Sequence, residues 1–336
     1  MLKRTLLDTE SQVIAAAKPV PDSQPPNDAA GRFQRDLLAA LQKTPRSISP
    51  KYFYDAAGSQ LFDRICELPE YYPTRTETAL LERFAPQIAK LCGPRAEIVE
   101  FGAGSLVKIR LLLGALETPA RFLPIDISAD HLAAAALDLA CDHPELDVLP
   151  IAADYTCDLA MPMPEPGGGR RIGFFPGSTI GNFSPDEALG FLRSAARLLK
   201  GGALLLGADL VKNPARLHAA YNDAQGVTAA FNLNLLARAN RELGADFDLA
   251  QFAHCAFYNA PFQRIEMHLM ARRRQRVSLA GQTFEFEEGE TLHTETSQKF
   301  SEESLRDLAT RAGFEPGPVW VDDERLFCLH WLWAPA

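Results

Sequence analysis

The sequence predicts an α/β protein in which a doubly wound parallel sheet is interrupted by an inserted α+β block. Three observations carry this. Between residues 76 and 212 short apolar strands alternate with helical segments, the rhythm of a parallel sheet covered by helices. The alternation then stops, and a long helical stretch leads into segments of period two that suit an antiparallel sheet. From residue 299 a helix and a hairpin return to complete the first sheet, so the two domains interleave: 31–75 with 213–298, and 76–212 with 299–336.

Taken in order, residues 1–30 contain KPVPDSQPPND, whose prolines break a helix, and this N-terminal segment is expected to drape over the surface without chemistry of its own. FQRDLLAALQ has apolar residues at helical spacing, and a second helical run spans Ser59 to Glu67 before Pro69. A third helix is expected in TRTETALLERFAPQIAKL. Five strands follow in AEIVEFGAG, ARFLPIDIS, DVLPIAADY, RRIGFFPGSTIGNF and GGALLLGADL, most of them separated by the helical segments VKIRLLLGAL, ADHLAAAALDLA and SPDEALGFLRSAARLL. NPARLHAAYNDAQGVTAAFNLNLLARANRELG reads as a long helical stretch. AHCAFYNAP, RIEMHLMARRR, QRVSLAG and QTFEFEEG read as antiparallel strands, Glu302 to Ala312 as a helix, and PVWVDDE with LFCLHWLWA as a terminal hairpin.

The 336 residues hold 34 Lys+Arg against 43 Asp+Glu, a formal net charge of −9, which disfavours a nucleic-acid partner. ARRRQR at Ala271 to Arg276 reads as a solvated strand end. Cys66, Cys92, Cys141, Cys157, Cys255 and Cys328 are scattered without a C-x-x-C pair, so reduced thiols and a cytoplasmic location are expected. No apolar run reaches the length of about 18 residues that a membrane span needs, and neither His nor Cys shows metal-ligand spacing. The expected state is a monomer without metal or membrane partner.

The segment EFGAGSLVKIR places Gly102 and Gly104 between a strand and a helix, where the chain must turn sharply and approach a ligand closely. Val107 occupies the third glycine position of a dinucleotide fingerprint, which argues for a smaller nucleoside ligand. Asp126 ends the second strand about 20 residues on, where a carboxylate can accept both ribose hydroxyls, and Asp154 ends the third, placed to accept from an adenine amino group. Glycine loop, ribose acid and adenine acid in this order fit S-adenosylmethionine.

Several runs resemble the L-histidine Nα-methyltransferases of ergothioneine biosynthesis: SPKYFYDAAGSQLFDRICELPEYYPTRTE, EFGAGSLVKIRLLL, the PIDIS and ADY strand ends, FFPGSTIGNF, AYNDAQGVTAAFNLNLLARANRELGADFD, RIEMHLMA and HTETSQKFS. The resemblance implies a Rossmann-like class I methyltransferase sheet whose inserted α+β domain binds the substrate. It implies S-adenosylmethionine at Gly102, Gly104, Lys108, Asp126, Asp154 and Tyr155, and free L-histidine converted to its trimethylated betaine, hercynine. By the same resemblance Tyr71, Asn182 and Tyr221 hold the amino and carboxylate groups, Glu295 and Ser297 grip the imidazole, and Tyr54 and Met267 line the pocket. Leu106 and Val107 depart from the more polar residues expected in relatives, and Tyr71 stands beside Tyr72 as a one-residue choice.

These residue types suit the chemistry. Methyl transfer from a sulfonium is an in-line displacement that depends on positioning. Tyr54 or Tyr71 can take a hydrogen bond from the amine and pass its proton on, the catalytic role expected of them. Glu295 accepts from an imidazole N–H and Ser297 meets the other nitrogen, while the faces of Phe53, Tyr54 and Tyr71 tolerate a growing cation. Read without the resemblance, Phe53, Tyr54 and Tyr72 are core packing, Glu295 is a solvated charge on an edge strand, Asn182 a turn residue and Met267 a core gap-filler. Rival functions are a same-fold enzyme methylating another amino acid or small amine, a nicotinamide reductase, and a cofactor-sensing module without turnover.

Overall fold

The computed structural model describes residues 29–104, 106–157 and 159–336; residues 1–28 of the proline-rich segment lie outside them. The first block supplies α1 (Ala29–Gln42), the two-residue strand β1 (Arg46–Ser47), a 3₁₀ turn (Pro50–Phe53), α2 (Ala56–Glu67) and α3 (Tyr72–Cys92). Asp55 caps α2 by accepting from the Gly58 N–H at 2.7 Å. α3 begins two residues before the expected TRTE run, because Pro73 sits in the first turn, where a missing N–H is no loss.

The second block runs β2 (Glu97–Phe101), α4 (Val107–Leu113), β3 (Arg121–Asp126), α5 (Ala129–Asp142), β4 (Asp147–Val148), β5 (Ile151–Ala152), β6 (Arg171–Phe175), α6 (Pro185–Leu198) and β7 (Ala203–Asp209). The expected third strand is split into β4 and β5 around Pro150, which has no N–H for the ladder; both halves pair with β3.

The third block contains α7 (Pro214–Tyr221), α8 (Val227–Leu243), β8 (Phe252–Asn259), β9 (Arg264–Ala271), β10 (Gln275–Leu279), β11 (Gln282–Phe286) and β12 (Thr291–Gln298). The long helical stretch is thus two helices. The Asp223 carboxylate accepts from the N–H groups of Val227 at 2.9 Å and Thr228 at 2.8 Å, and so starts α8 afresh. The chain closes with α9 (Glu302–Arg311), β13 (Glu315–Val321) and β14 (Phe327–Trp333).

The large sheet has the order β13-β14-β7-β6-β2-β3-β4, with β5 also on β3; β4, β5, β3, β2, β6 and β7 are parallel, and the last hairpin is antiparallel. The small sheet has the order β1-β12-β9-β8, and β10 with β11 forms a separate hairpin. That hairpin was expected in the antiparallel sheet, but both edges of β9 are already taken by β8 and β12. Arg274 and Arg276 pair there with Glu285, the solvated strand end that the ARRRQR run suggested. Glu295 was expected on an edge strand; its strand β12 instead lies inside the sheet, between β1 and β9.

The apolar core forms three clusters. One cluster joins Phe33, Phe53, Tyr72, Leu217, Phe231, Ile265 and Leu292, and two others lie on opposite faces of the large sheet. At the seam the segments after β7 and β12 run side by side, with the Phe300 N–H on the Asp209 carbonyl at 3.0 Å and the Val211 N–H on the Phe300 carbonyl at 2.9 Å. Here the Lys299 ammonium lies 2.8 Å from Asp209, each side chain 1% exposed. Lys212 at 2.5 Å and the Tyr72 hydroxyl at 2.7 Å complete the surroundings of that carboxylate. Burial alone would push the Asp209 carboxyl up, but the two ammonium groups hold it below the usual range.

Replacing one member of a buried pair strands the other charge, at a cost of about 3–5 kcal/mol. Asp209→Ala strands two ammonium groups and is expected to lose stability of that order in urea denaturation. Lys299→Met should lose distinctly less, because Lys212 and Tyr72 still hold the Asp209 carboxylate.

Candidate active site

The cofactor half forms at the carboxyl edge of the large sheet. After β2 the chain turns through Gly102, at φ +73°, where a Cβ would be strained and would stand 3.5 Å from the Tyr155 ring. The Gly102 N–H donates to the Ile125 carbonyl at 2.9 Å. Asp126 closes β3, one oxygen facing the Gly104 N–H at 3.4 Å and the other accepting from the Ser128 N–H at 2.8 Å. Tyr155 packs edge-on against Phe101, Phe175 and Phe191. Gly102, Gly104, Asp126 and Tyr155 therefore surround one turn.

Two expected ligands of the cofactor are engaged elsewhere in this structure. Lys108 donates to Glu77 at 2.5 Å, and the Gly177 N–H donates to the same buried carboxylate. Asp154 accepts from the Thr156 N–H at 3.0 Å and hydroxyl at 2.5 Å, and pairs with Lys51 at 3.3 Å. Burial would raise the Asp154 carboxyl, but the bonds from Thr156 and the charge of Lys51 hold it below its ordinary value. Leu106 turns into the core, whereas Val107 is 60% exposed at the start of α4.

Glu100 was missed. It is 2% exposed inside β2, and its Oε2 has no hydrogen-bond partner among the described residues. Burial pushes its carboxyl well above the ordinary range, against the opposing charge of Lys108. The signal was present in the sequence as a lone acid within the apolar IVEFG strand. A buried carboxyl without a partner beside a glycine turn fits a cationic ligand, which S-adenosylmethionine is.

The second half is built by the inserted block, and its register turns on one extra residue. His293 pairs with His268, but the ladder then shifts so that Glu295 pairs with Met267 and Ser297 with Ile265. Thr294 is the bulged residue, its hydroxyl bonded to Asn232 at 2.8 Å and to the Met267 carbonyl at 3.0 Å. Without the bulge, Glu295 would stand opposite Glu266 on the other face of the sheet. With it, Glu295 and Ser297 share the face of Met267, which is 1% exposed.

Around that face stand Tyr54, Tyr71 and Tyr221. Tyr54 meets Phe62 and Phe231 edge-on at 5.6 and 5.7 Å, and Tyr71 meets Phe62 at 6.3 Å and Tyr221 at 6.4 Å. Phe62, also missed, is the common wall of the two tyrosines; only packing reveals it. Burial pushes the Tyr54 hydroxyl well above its usual value, and nearby Glu295, Tyr155 and Asp126 raise it further, so this group has neighbours in both halves of the site. Burial likewise raises Tyr71, with Tyr221, Cys66, Tyr54 and Glu295 around it. The neighbouring Tyr72 faces the other way, onto Asp209 and Lys212.

Asn182 ends a 3₁₀ turn, Thr179–Asn182, that is pressed onto β12: a Cβ on Gly181 would come 2.8 Å from the Gln298 carbonyl oxygen. The Tyr221 hydroxyl donates to Ser297 at 2.8 Å, and Lys299 donates to both. Burial pushes the Glu295 carboxyl up to about 7, with Lys299 opposing. On the opposite face Glu266, His268 and His293 bring ligand-type atoms within 4.8 Å. The two imidazoles stack at 4.7 Å and 27°, so their in-plane lone pairs run side by side, and Glu266 is committed to Arg264 and Asn259.

A sheet of this strand order, closed by an antiparallel hairpin, is the fold of the Rossmann-like methyltransferases that use S-adenosylmethionine, and the groups at its edge suit that cation. Residues 33–334 match the family described as histidine-specific methyltransferase, SAM-dependent. The chain is 43% identical over 304 residues to a histidine N-alpha-methyltransferase of Mycobacterium tuberculosis, covering 88% of this chain and 93% of that one. It is also 43% identical over 302 residues to the histidine N-alpha-methyltransferase of Mycolicibacterium smegmatis, with the same coverage. Ergothioneine biosynthesis protein 1 of Neurospora crassa is 29% identical over 82% of this chain and 32% of its own length. The chain belongs to the histidine-specific, S-adenosylmethionine-dependent methyltransferases.

The raised Glu295 carboxyl makes a pH prediction for the unliganded protein. Between the ordinary value of 4.5 and about 7 the folded state binds more protons than the unfolded state, so this group lowers stability as pH rises through that window. Glu295→Gln is expected to match the parent protein near pH 4 and to exceed it at pH 8 by roughly 3 kcal/mol, read by urea denaturation across pH.

Proposed function

We propose that this protein transfers methyl groups from S-adenosylmethionine to the α-amino nitrogen of free L-histidine, three in succession, giving hercynine in the first step of ergothioneine biosynthesis. The observation that supports this best is the placement of Glu295 and Ser297 together on the Met267 face of β12, with Ser297 bonded to Tyr221. Bound S-adenosylmethionine supplies an activated methyl group open to in-line displacement by a nitrogen lone pair. Gly102, Gly104, Asp126, Asp154 and Tyr155 would hold its adenosine part, and Glu100 and Lys108 would lie toward its charged end.

The chain's own part is to orient the amine and receive its proton. Burial keeps Tyr54 and Tyr71 as neutral hydroxyls, so neither acts as a phenolate base. As neutral groups they accept an N–H from the amine, hold its lone pair toward the methyl group and hand the proton on toward water. Asn182 offers both a donor and an acceptor to the zwitterion. The ring faces of Tyr54, Phe62 and Tyr71 make room for a quaternary ammonium. Six free thiols support the cytoplasmic setting, and no helix among the described residues is long and apolar enough to cross a membrane. The enzyme is taken to act as a monomer on a small molecule, without nucleic acid.

Mass spectrometry of histidine incubated with the protein and S-adenosylmethionine should show one, two and then three added methyl groups. Glu295→Ala removes a hydrogen bond to a charged group, so the KM for histidine should rise roughly 10- to 100-fold. Cofactor affinity, measured by calorimetry, should not change. An unaltered histidine KM in that variant would contradict the imidazole assignment.

A further inference from the structure

We propose that Lys299 sets the hydrogen-bond polarity of the imidazole pocket: by donating to the hydroxyls of both Ser297 and Tyr221 it leaves Ser297 only a proton to offer the ligand, so the pocket accepts neutral imidazole in one tautomer. The proposal rests on the reading of the cleft as a histidine site and deepens it. Lys299 is 1% exposed and has three N–H donors, each with an acceptor: Asp209 at 2.8 Å, Ser297 at 2.8 Å and Tyr221 at 3.1 Å. The Tyr221 hydroxyl donates in turn to Ser297 at 2.8 Å. A serine oxygen has two acceptor sites, and here both are filled from the protein.

The pocket therefore shows the ligand one acceptor, Glu295, and one donor, Ser297. Neutral imidazole carries one N–H and one lone pair and matches this pattern in a single orientation. Imidazolium carries two N–H groups, and the second would face a donor with no acceptor left, which buried polar pairing penalises strongly. Lys299 acts through Ser297 and Tyr221 and is a positioning residue.

Lys299 also governs when the acceptor is charged. The groups recorded around Glu295 are Tyr54 and Tyr71 from the N-terminal block, Tyr221 at the end of α7, Met267 across the ladder on β9, and Lys299 just past its own strand. The tyrosines are neutral, so among the described residues Lys299 is the cation that favours ionised Glu295.

The test compares kcat/KM for histidine against pH in the parent protein, Lys299→Met and Lys299→Arg, with S-adenosylmethionine affinity measured beside it. Histidine titrates identically in all three, so differences belong to the protein. Lys299→Met should raise the KM for histidine at least about tenfold, change kcat and cofactor affinity little, and move the acid-limb midpoint up by about one pH unit, as expected when an opposite charge is removed beside a carboxyl. Lys299→Arg keeps the cation but not the three-point geometry, so it should raise KM at an unmoved midpoint. An unmoved midpoint in Lys299→Met, or joint loss of histidine and cofactor binding in a folded variant, would overturn the proposal. If Lys299→Met does not fold, an unchanged histidine KM in Lys299→Arg would overturn it. A parent protein that fails to methylate histidine sinks the reading of the cleft itself, whatever the lysine variants do.

Discussion

The buried Asp209 carboxylate, held by Lys299, Lys212 and the Tyr72 hydroxyl, is the constraint on which the rest of the molecule depends. Asp209 ends β7, an inner strand of the large sheet, and Lys299 follows directly on β12 of the small one. Their pairing joins the two sheets at the place where the chain crosses between blocks, and the flanking backbone bonds between residues 209–211 and 300 hold the crossing in register. Two charges removed from water are stable only when every remaining polar group is satisfied. Tyr72, Lys212, Tyr221 and Ser297 supply that satisfaction, and two of these four belong to the cleft. The proposed substrate pocket is thus an extension of the structural seam.

This arrangement explains how a cleft with few formal charges can be selective. Its walls are aromatic rings and hydroxyls raised by burial out of the titrating range, and two buried carboxyls, Glu100 and Glu295, are raised as well. In such surroundings a ligand that supplies complementary hydrogen bonds gains much more than it would in water. On the proposed reading, a cation near Glu100 and an imidazole N–H near Glu295 are the partners these groups would take. A site with both demands favours one sulfonium cofactor and one amino acid over analogues that answer only one of them.

The order of strands and helices follows from local chemistry, and most of it is legible along the chain. Alternating apolar runs, the glycine turn after β2 and the acid closing β3 identify the sheet and its ligand edge, because backbone reach and burial act over a few residues. Two of the misreadings are also local in cause. Pro150 divides a strand by withholding one N–H, and Asp223 divides a helix by capping the next one. The separate β10–β11 hairpin has a non-local cause, since its exclusion from the small sheet reflects edges occupied by strands distant in sequence.

The sequence by itself determined the alternation of strands and helices, the glycine turn and the acids at the strand ends and, through runs such as YFYD, EYYPTRTE and TETS, the residue types of the proposed amino-acid pocket. Only the tertiary structure decided which way those residues face. The bulge at Thr294 turns Glu295 and Ser297 toward Met267 and away from Glu266; packing sends Tyr71 to the cleft and Tyr72 to Asp209; Lys108 rests on Glu77. The physical reason is that a side chain's type is written at one position, whereas its direction and protonation depend on register, burial and charges contributed by other segments of the chain.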